Sequence, residues 1–242
     1  MHTHTDRAAW LNWALTTSIP LCRLDADANI IPAGSAALVA HRKRRFLLSV
    51  EHAVPMDGTD WMAYLRAAPG GGSELYRIGA FNYLAKIADD ASGLSYLDFS
   101  FVEVDASFDP VYQHHTPQAT SDERPRHIFA SSAASLPATG VEYAFSGRIQ
   151  PELHGSRATV TTTAYYPGLS FLRTDGPFHV FSLPVRHPGH EAFQGCSGAP
   201  IVDANENFVA LLVGGDEASN TIHGVSADRY LYGIDHLCSL RA

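Results

Sequence analysis

The chain has 242 residues, 45% of them hydrophobic and 17% charged, a balance that suits a globular protein with a buried core. Its formal net charge of −8 argues against a surface built to neutralise phosphates, so nucleic acid is not an expected partner. No stretch approaches the ~20 apolar residues of a spanning helix, and MHTHTDRAAWLNWALTTSIP lacks the basic start and apolar run of an export signal. A soluble, cytoplasmic protein without a membrane partner is therefore expected.

Residues Thr5 to Leu15 carry Ala8, Trp10, Leu11 and Ala14, with Thr5 or Asp6 available as a cap, which predicts a short amphipathic helix. From Ala28 onward the signal is β: Ser35–Val39, Phe46–Val50, Tyr76–Phe81 and Phe99–Val104 are rich in β-branched and aromatic residues and are separated by Gly, Pro, Asp and Ser. The basic run His41 to Arg45 falls between two of these and reads as a solvated hairpin turn. Pro69 to Ser73 (PGGGS) reads as a loop tip, and with no GK[ST] after it, it is no phosphate cradle.

A polar stretch, Thr120 to Arg126, precedes a second β series: Ile128–Ser131, Glu142–Gly147, Ala158–Tyr166, His179–Leu183, Ala199–Val202 and Phe208–Val213. Ser226 then stands where it can cap a terminal helix with Leu231, Ile234 and Cys238 on one face. The expected division is a helix and lead-in over 1–27, a first β unit over 28–120, a linker over 121–126, a second β unit over 127–225 and a helix over 226–242. Cys22, Cys196 and Cys238 are odd in number and form no CxxC pair, so neither a disulfide framework nor a zinc site is indicated. A pairing of Cys22 with Cys238 needs a geometry that sequence cannot test.

The most informative segment is Gly195-Cys196-Ser197-Gly198-Ala199-Pro200. A serine among small residues suits a nucleophile, because the backbone can turn sharply and consecutive N–H groups can converge where negative charge develops. This hexapeptide resembles the GDSGGP or GNSGGP signature of the chymotrypsin-like (trypsin-like and HtrA-like) serine proteases. It departs from it at Cys196 and Ala199.

The resemblance extends along the chain. LLSVEHAV (Leu47 to Val54) is similar to the strand-end context of the family's catalytic histidine, and LDFSFVEV (Leu97 to Val104) to that of its aspartate. Taken singly, His52 reads as a core histidine, Asp98 as a strand-start cap and Ser197 as part of a turn. Together they have the chymotrypsin chain order, which subtilisins and α/β-hydrolases do not share.

The resemblance implies an all-β fold of two six-stranded antiparallel barrels with short N- and C-terminal helices. It implies a serine endopeptidase in which His52 is base and acid, Asp98 orients it, Ser197 is the nucleophile, and the N–H groups of Gly195 and Ser197 form an oxyanion hole. No cofactor or metal is called for; His2, His4, His114 and His115 have no ligand partners at metal spacing. Cys196 is the rival nucleophile, but its register is one residue early. In the family the specificity pocket is lined by residues just before the nucleophile and by the strand after it. Those positions hold Glu191, Ala192, Phe193 and Gln194, then Val213, Gly214 and Gly215, with His223 behind them. Glu191 points to basic substrates and His223 to acidic or amide ones.

The resemblance further implies a protein or peptide substrate, set within the cell, and control by an activating protein partner, as in bacterial defence systems. The competing classes are a catalytically inactive binding module on the same fold and an esterase using the same triad.

Overall fold

A computed structural model describes residues 6–24, 30–56, 60–67, 73–87, 94–115, 121–148, 152–154, 158–160 and 163–240. His2, His4 and most of the expected PGGGS loop tip lie outside them. The helix α1 spans Arg7–Ala14, and Asp6 is its cap: its carboxylate accepts the Ala8 N–H at 3.0 Å.

The first half contains β1 (Ser18–Leu24), β2 (Ile30–His41), β3 (Arg44–Ser49), β4 (Trp61–Ala67), β5 (Ser73–Arg77), β6 (Asn82–Ile87) and β7 (Leu94–Val104). A hairpin of β8 (Val111–His115) and β9 (Ser121–Pro125) follows, then the short β10 (Phe129–Ala130). The expected basic turn joins β2 to β3, and Arg42 and Lys43 both adopt positive φ, the geometry of a two-residue hairpin connection. The sheet runs β5-β4-β1-β2-β3-β7-β6.

Among the described residues β5 and β6 are not paired, so the expected second closed barrel is not seen. Between them, Ile78 donates its N–H to Trp61 O at 2.8 Å, and Ile78 and Phe81 turn into the first core.

The second half contains β11 (Glu142–Arg148), the hairpin β12 (Glu152–His154) and β13 (Ala158–Val160), then β14 (Thr163–Asp175), β15 (Phe178–Ser182), β16 (Pro200–Asp203), β17 (Phe208–Asp216) and β18 (Thr221–Ser226). It closes into a six-stranded barrel, β11-β14-β15-β18-β17-β16. The helix α2 (Tyr230–Leu240) ends the described chain.

Alternation along the strands decides where the cores sit. On β2, Ala36 and Leu38 enter one cluster with Ile19, Leu21, Leu47 and Val102, while Ala37 and Val39 enter another with Phe46, Leu48, Phe99 and Phe101. The second cluster is the seam between the halves, since it also takes Trp10, Val202, Phe208, Leu211, Val225, Tyr230 and Ile234. A third fills the closed barrel around Phe145, Phe181, Ile201 and Ile222. Because β2 and β3 are buried on both faces, they read as continuous apolar runs.

Three expectations are corrected, those for 121–125, Phe129 and Ser226. The polar stretch 121–125 is a strand paired with β8, satisfying its backbone groups locally. Phe129, expected to open the second half, lies in β10, parallel to β2, and stacks on Phe208 at 5.0 Å across the seam. Cys22 and Cys238 are both free and buried, one on β1 and one on α2. Ser226 gives the terminal helix no side-chain cap. Its hydroxyl donates to Asp228 Oδ1 at 2.7 Å, and its oxygen takes His179 Nε2–H at 2.7 Å.

His179 is 2% exposed, and its Nδ1 accepts the Thr174 hydroxyl at 2.9 Å. Burial disfavours the imidazolium and lowers its pKa, with Asp228 opposing that shift. The unfolded chain therefore binds this proton more readily. The stability contributed by neutral His179 is complete above the unfolded value of about 6.5 and is lost as pH falls toward the lowered folded value. Between about pH 7 and about pH 5 the melting temperature is expected to fall, and less steeply in His179→Gln; equal slopes in calorimetric scans would contradict this.

Candidate active site

The three residues expected to act together meet at the rim of the seam. His52 lies on a 3-10 turn, Glu51–Ala53, that follows β3, Asp98 lies within β7, and Ser197 lies on the loop before β16. His52 Nδ1 stands 2.7 Å from Asp98 Oδ2, and His52 Nε2 stands 2.9 Å from Ser197 Oγ. Asp98 Oδ1 also accepts the His52 backbone N–H at 3.1 Å, so one carboxylate fixes both the ring and the turn that carries it. The carboxylate assigns the proton to Nδ1 and leaves the Nε2 lone pair facing the serine hydroxyl.

The hydrogen bond to Asp98 raises the His52 pKa, burial opposes it, and the charges of Asp98 and Glu51 raise it further. Glu51 therefore acts on the histidine through space.

The loop that carries Ser197 is held by the other half of the molecule. Ser35 on β2 donates its N–H to Ser197 O and its hydroxyl to Gly195 O, both at 2.8 Å, and accepts Ser49 Oγ–H on its own carbonyl at 2.8 Å. Gly198 donates to Leu212 O at 2.7 Å, and Leu212 donates back to Ala199 O at 2.8 Å, stitching the loop to β17. Cys196 N–H is spent on Phe193 O at 2.9 Å. The Gly195 and Ser197 N–H groups have no acceptor among the described residues, which leaves both available to an oxyanion.

The Cys196 side chain is fully buried, and burial pushes its thiol up to about 12. A Cβ on Gly147 would come within 2.8 Å of its sulfur, so it packs beneath the loop as a small apolar group. It has neither the ionisation nor the access of a nucleophile.

The expected pocket residues separate into groups. Glu191 and Gln194 are exposed, so Glu191 does not form a desolvated anionic base for a cationic side chain. Phe193 turns away into the barrel core against Phe145 and Tyr166. Ala192, Val213, Gly214 and Gly215 are half-buried on the two segments flanking the loop. His223 pairs with Gly214 and lies 3.4 Å from Thr221 Oγ1. The sequence reading missed Ser35 and Ser49, because a clamp between distant strands has no local motif.

No protein-family model matches the chain, and no curated protein does. Solved structures do. The serine endoprotease from Yersinia pestis aligns over 98% of this chain and 68% of its own with a TM-score of 0.53 and 13% identity. Catalytically active tobacco etch virus protease complexed with product aligns over 98% and 87% with a TM-score of 0.51 and 10% identity. The chain has the chymotrypsin-like protease fold. At these identities the fold is what is shared, and the placement of His52, Asp98 and Ser197 rests on the distances above.

In this chymotrypsin-like arrangement Gly198 is the tightest point. Its φ is +86°, and an added Cβ would lie 2.1 Å from Ser35 O and 2.5 Å from Ser49 Oγ. Gly198→Ala is expected to cost about 3 kcal/mol or more, whereas Gly214→Ala, with open space around it, is expected to stay within about 1 kcal/mol. Urea unfolding of the two variants checks this, and equal midpoints would remove the claim.

Proposed function

We propose that the protein is a serine endopeptidase acting on a protein or peptide substrate. The observation that carries this reading is the continuous path from Asp98 through His52 to Ser197, at 2.7 and 2.9 Å. A serine hydroxyl is a poor nucleophile at its own pKa, and a neutral imidazole held at this distance is the base it needs.

In the proposed reaction Ser197 Oγ attacks the scissile carbonyl carbon while its proton passes to His52 Nε2. The N–H groups of Gly195 and Ser197 receive the oxyanion, a contribution of roughly 3 kcal/mol for each donor. His52 returns the proton to the leaving amine, which departs and leaves an ester on Ser197. Water then attacks that ester with His52 again as base, releasing the acid and the free serine. Asp98 keeps the ring in the productive tautomer and stabilises the imidazolium without taking its proton.

Mass spectrometry after fluorophosphonate treatment is expected to find one adduct on Ser197, abolished in Ser197→Ala and slowed by about three orders of magnitude or more in His52→Ala. An adduct that forms elsewhere, or that survives Ser197→Ala, would exclude this nucleophile.

Only neutral His52 accepts the serine proton, so activity falls as pH drops through its raised pKa. Glu51 contributes to that elevation. Glu51→Gln is therefore expected to move the acid limb of the kcat/KM profile to lower pH, and a shift to higher pH would contradict the assignment.

A further inference from the structure

The loop between β15 and the 3-10 turn at His190–Phe193 is bracketed by Asn220, whose φ is +57°. Asn220 Oδ1 accepts the His187 N–H at 2.7 Å, Nδ2 donates to Leu183 O at 3.2 Å, and the Asn220 carbonyl accepts the Leu183 N–H at 3.1 Å. This bracket drives the His187 ring inward until the residue is 3% exposed. The ring lies edge-on to Phe193 with centroids 4.8 Å apart. The ideal Cβ position of Gly215 stands 2.6 Å from its Nε2.

Those two contacts locate the ring. Phe193 runs directly into Gln194 and Gly195 on one side of the nucleophile loop. Gly215 follows Leu212, which is bonded to Ala199 and Gly198 on the other side. His187 therefore bridges the two segments that the resemblance to chymotrypsin-like proteases makes the walls of the specificity pocket. Gly215 pairs with Ile222, so its missing side chain would project to the same face as Ile222, into the barrel mouth where the ring sits.

The ring's hydrogen bonding is incomplete. The Gly189 N–H donates to Nδ1 at 3.1 Å, so neutral His187 carries its proton on Nε2. That Nε2–H is buried and has no acceptor among the described residues. An unpaired buried donor is costly.

Resting on the endopeptidase reading, we propose that His187 is the specificity-determining donor of the site. Its Nε2–H takes the side-chain oxygen of a glutamine, glutamate, asparagine or aspartate immediately before the scissile bond. Entry of that side chain parts the two walls and supplies the acceptor that the free protein lacks. A cationic side chain brings no acceptor, and the carboxylates on these segments, Glu191 and Asp216, are exposed.

The test is a peptide series varied only at the residue before the cleaved bond, run beside fluorophosphonate labelling. The wild-type protein is expected to favour the four acceptor side chains over Leu, Lys and Arg by about ten-fold or more in kcat/KM. His187→Phe, which keeps the ring and removes the donor, is expected to collapse that ratio, and His187→Gln to recover part of it. The ratio is internal to each preparation, so a poorly folded variant does not mimic the result. A wild-type preference for Lys, Arg or Leu, or an unchanged ratio in His187→Phe, overturns the assignment while leaving the endopeptidase reading intact. Absence of both labelling and cleavage in the wild-type protein overturns the reading itself, and the assignment with it.

Discussion

The grip of Ser35 on the loop that carries Ser197 is the constraint on which the rest of the site depends. Two hydrogen bonds of 2.8 Å from one residue of β2 reach Gly195 O and Ser197 O on the opposite half, and Gly198 lies so close to the same strand that a methyl group would overlap Ser35 O. The Gly195 and Ser197 N–H groups are without acceptors among the described residues. The oxyanion site proposed for these two donors therefore depends on the halves being seated on each other.

That seating is produced by burial on both faces of the central strands. Alternate residues of β2, β3 and β7 feed the first core and the seam, so the sheet that carries His52 and Asp98 cannot slide relative to the barrel without exposing Phe46, Phe99 or Phe208. The amino-terminal helix reinforces the seam. Trp10 donates its indole N–H to Asp203 O at 2.7 Å, and Ser146 donates to the carbonyl of Ala14 at 2.9 Å. The exposed Arg7–Glu142 pair adds little by comparison, since solvent screens it.

The elements with strong local signals were legible. The basic turn 42–43, the cap at Asp6 and the strands around Phe46, Phe99 and Phe208 follow from turn chemistry and β-branched or aromatic runs. The misreadings share one cause. The segment 121–125 reads as a linker because it is polar, yet pairing with β8 satisfies its backbone without a buried face. Ser226 reads as a helix cap because it precedes an apolar stretch, yet His179 and Asp228 take its hydroxyl from outside the helix. Asp98 reads as a strand start and instead sits within β7, where His52 approaches it from another strand's end.

The sequence by itself determined the β-rich character of both halves, the identity and order of His52, Asp98 and Ser197, and the small-residue loop that a reactive serine requires. Those properties reside in residue type and local spacing. Tertiary structure decided which way each group faces. It directed Glu191 to solvent and Phe193 to the core, buried Cys196 under Gly147, and brought Ser35 and His187, which carry no motif, against the loop. These outcomes depend on contacts between residues far apart in the chain, which spacing along the chain does not encode.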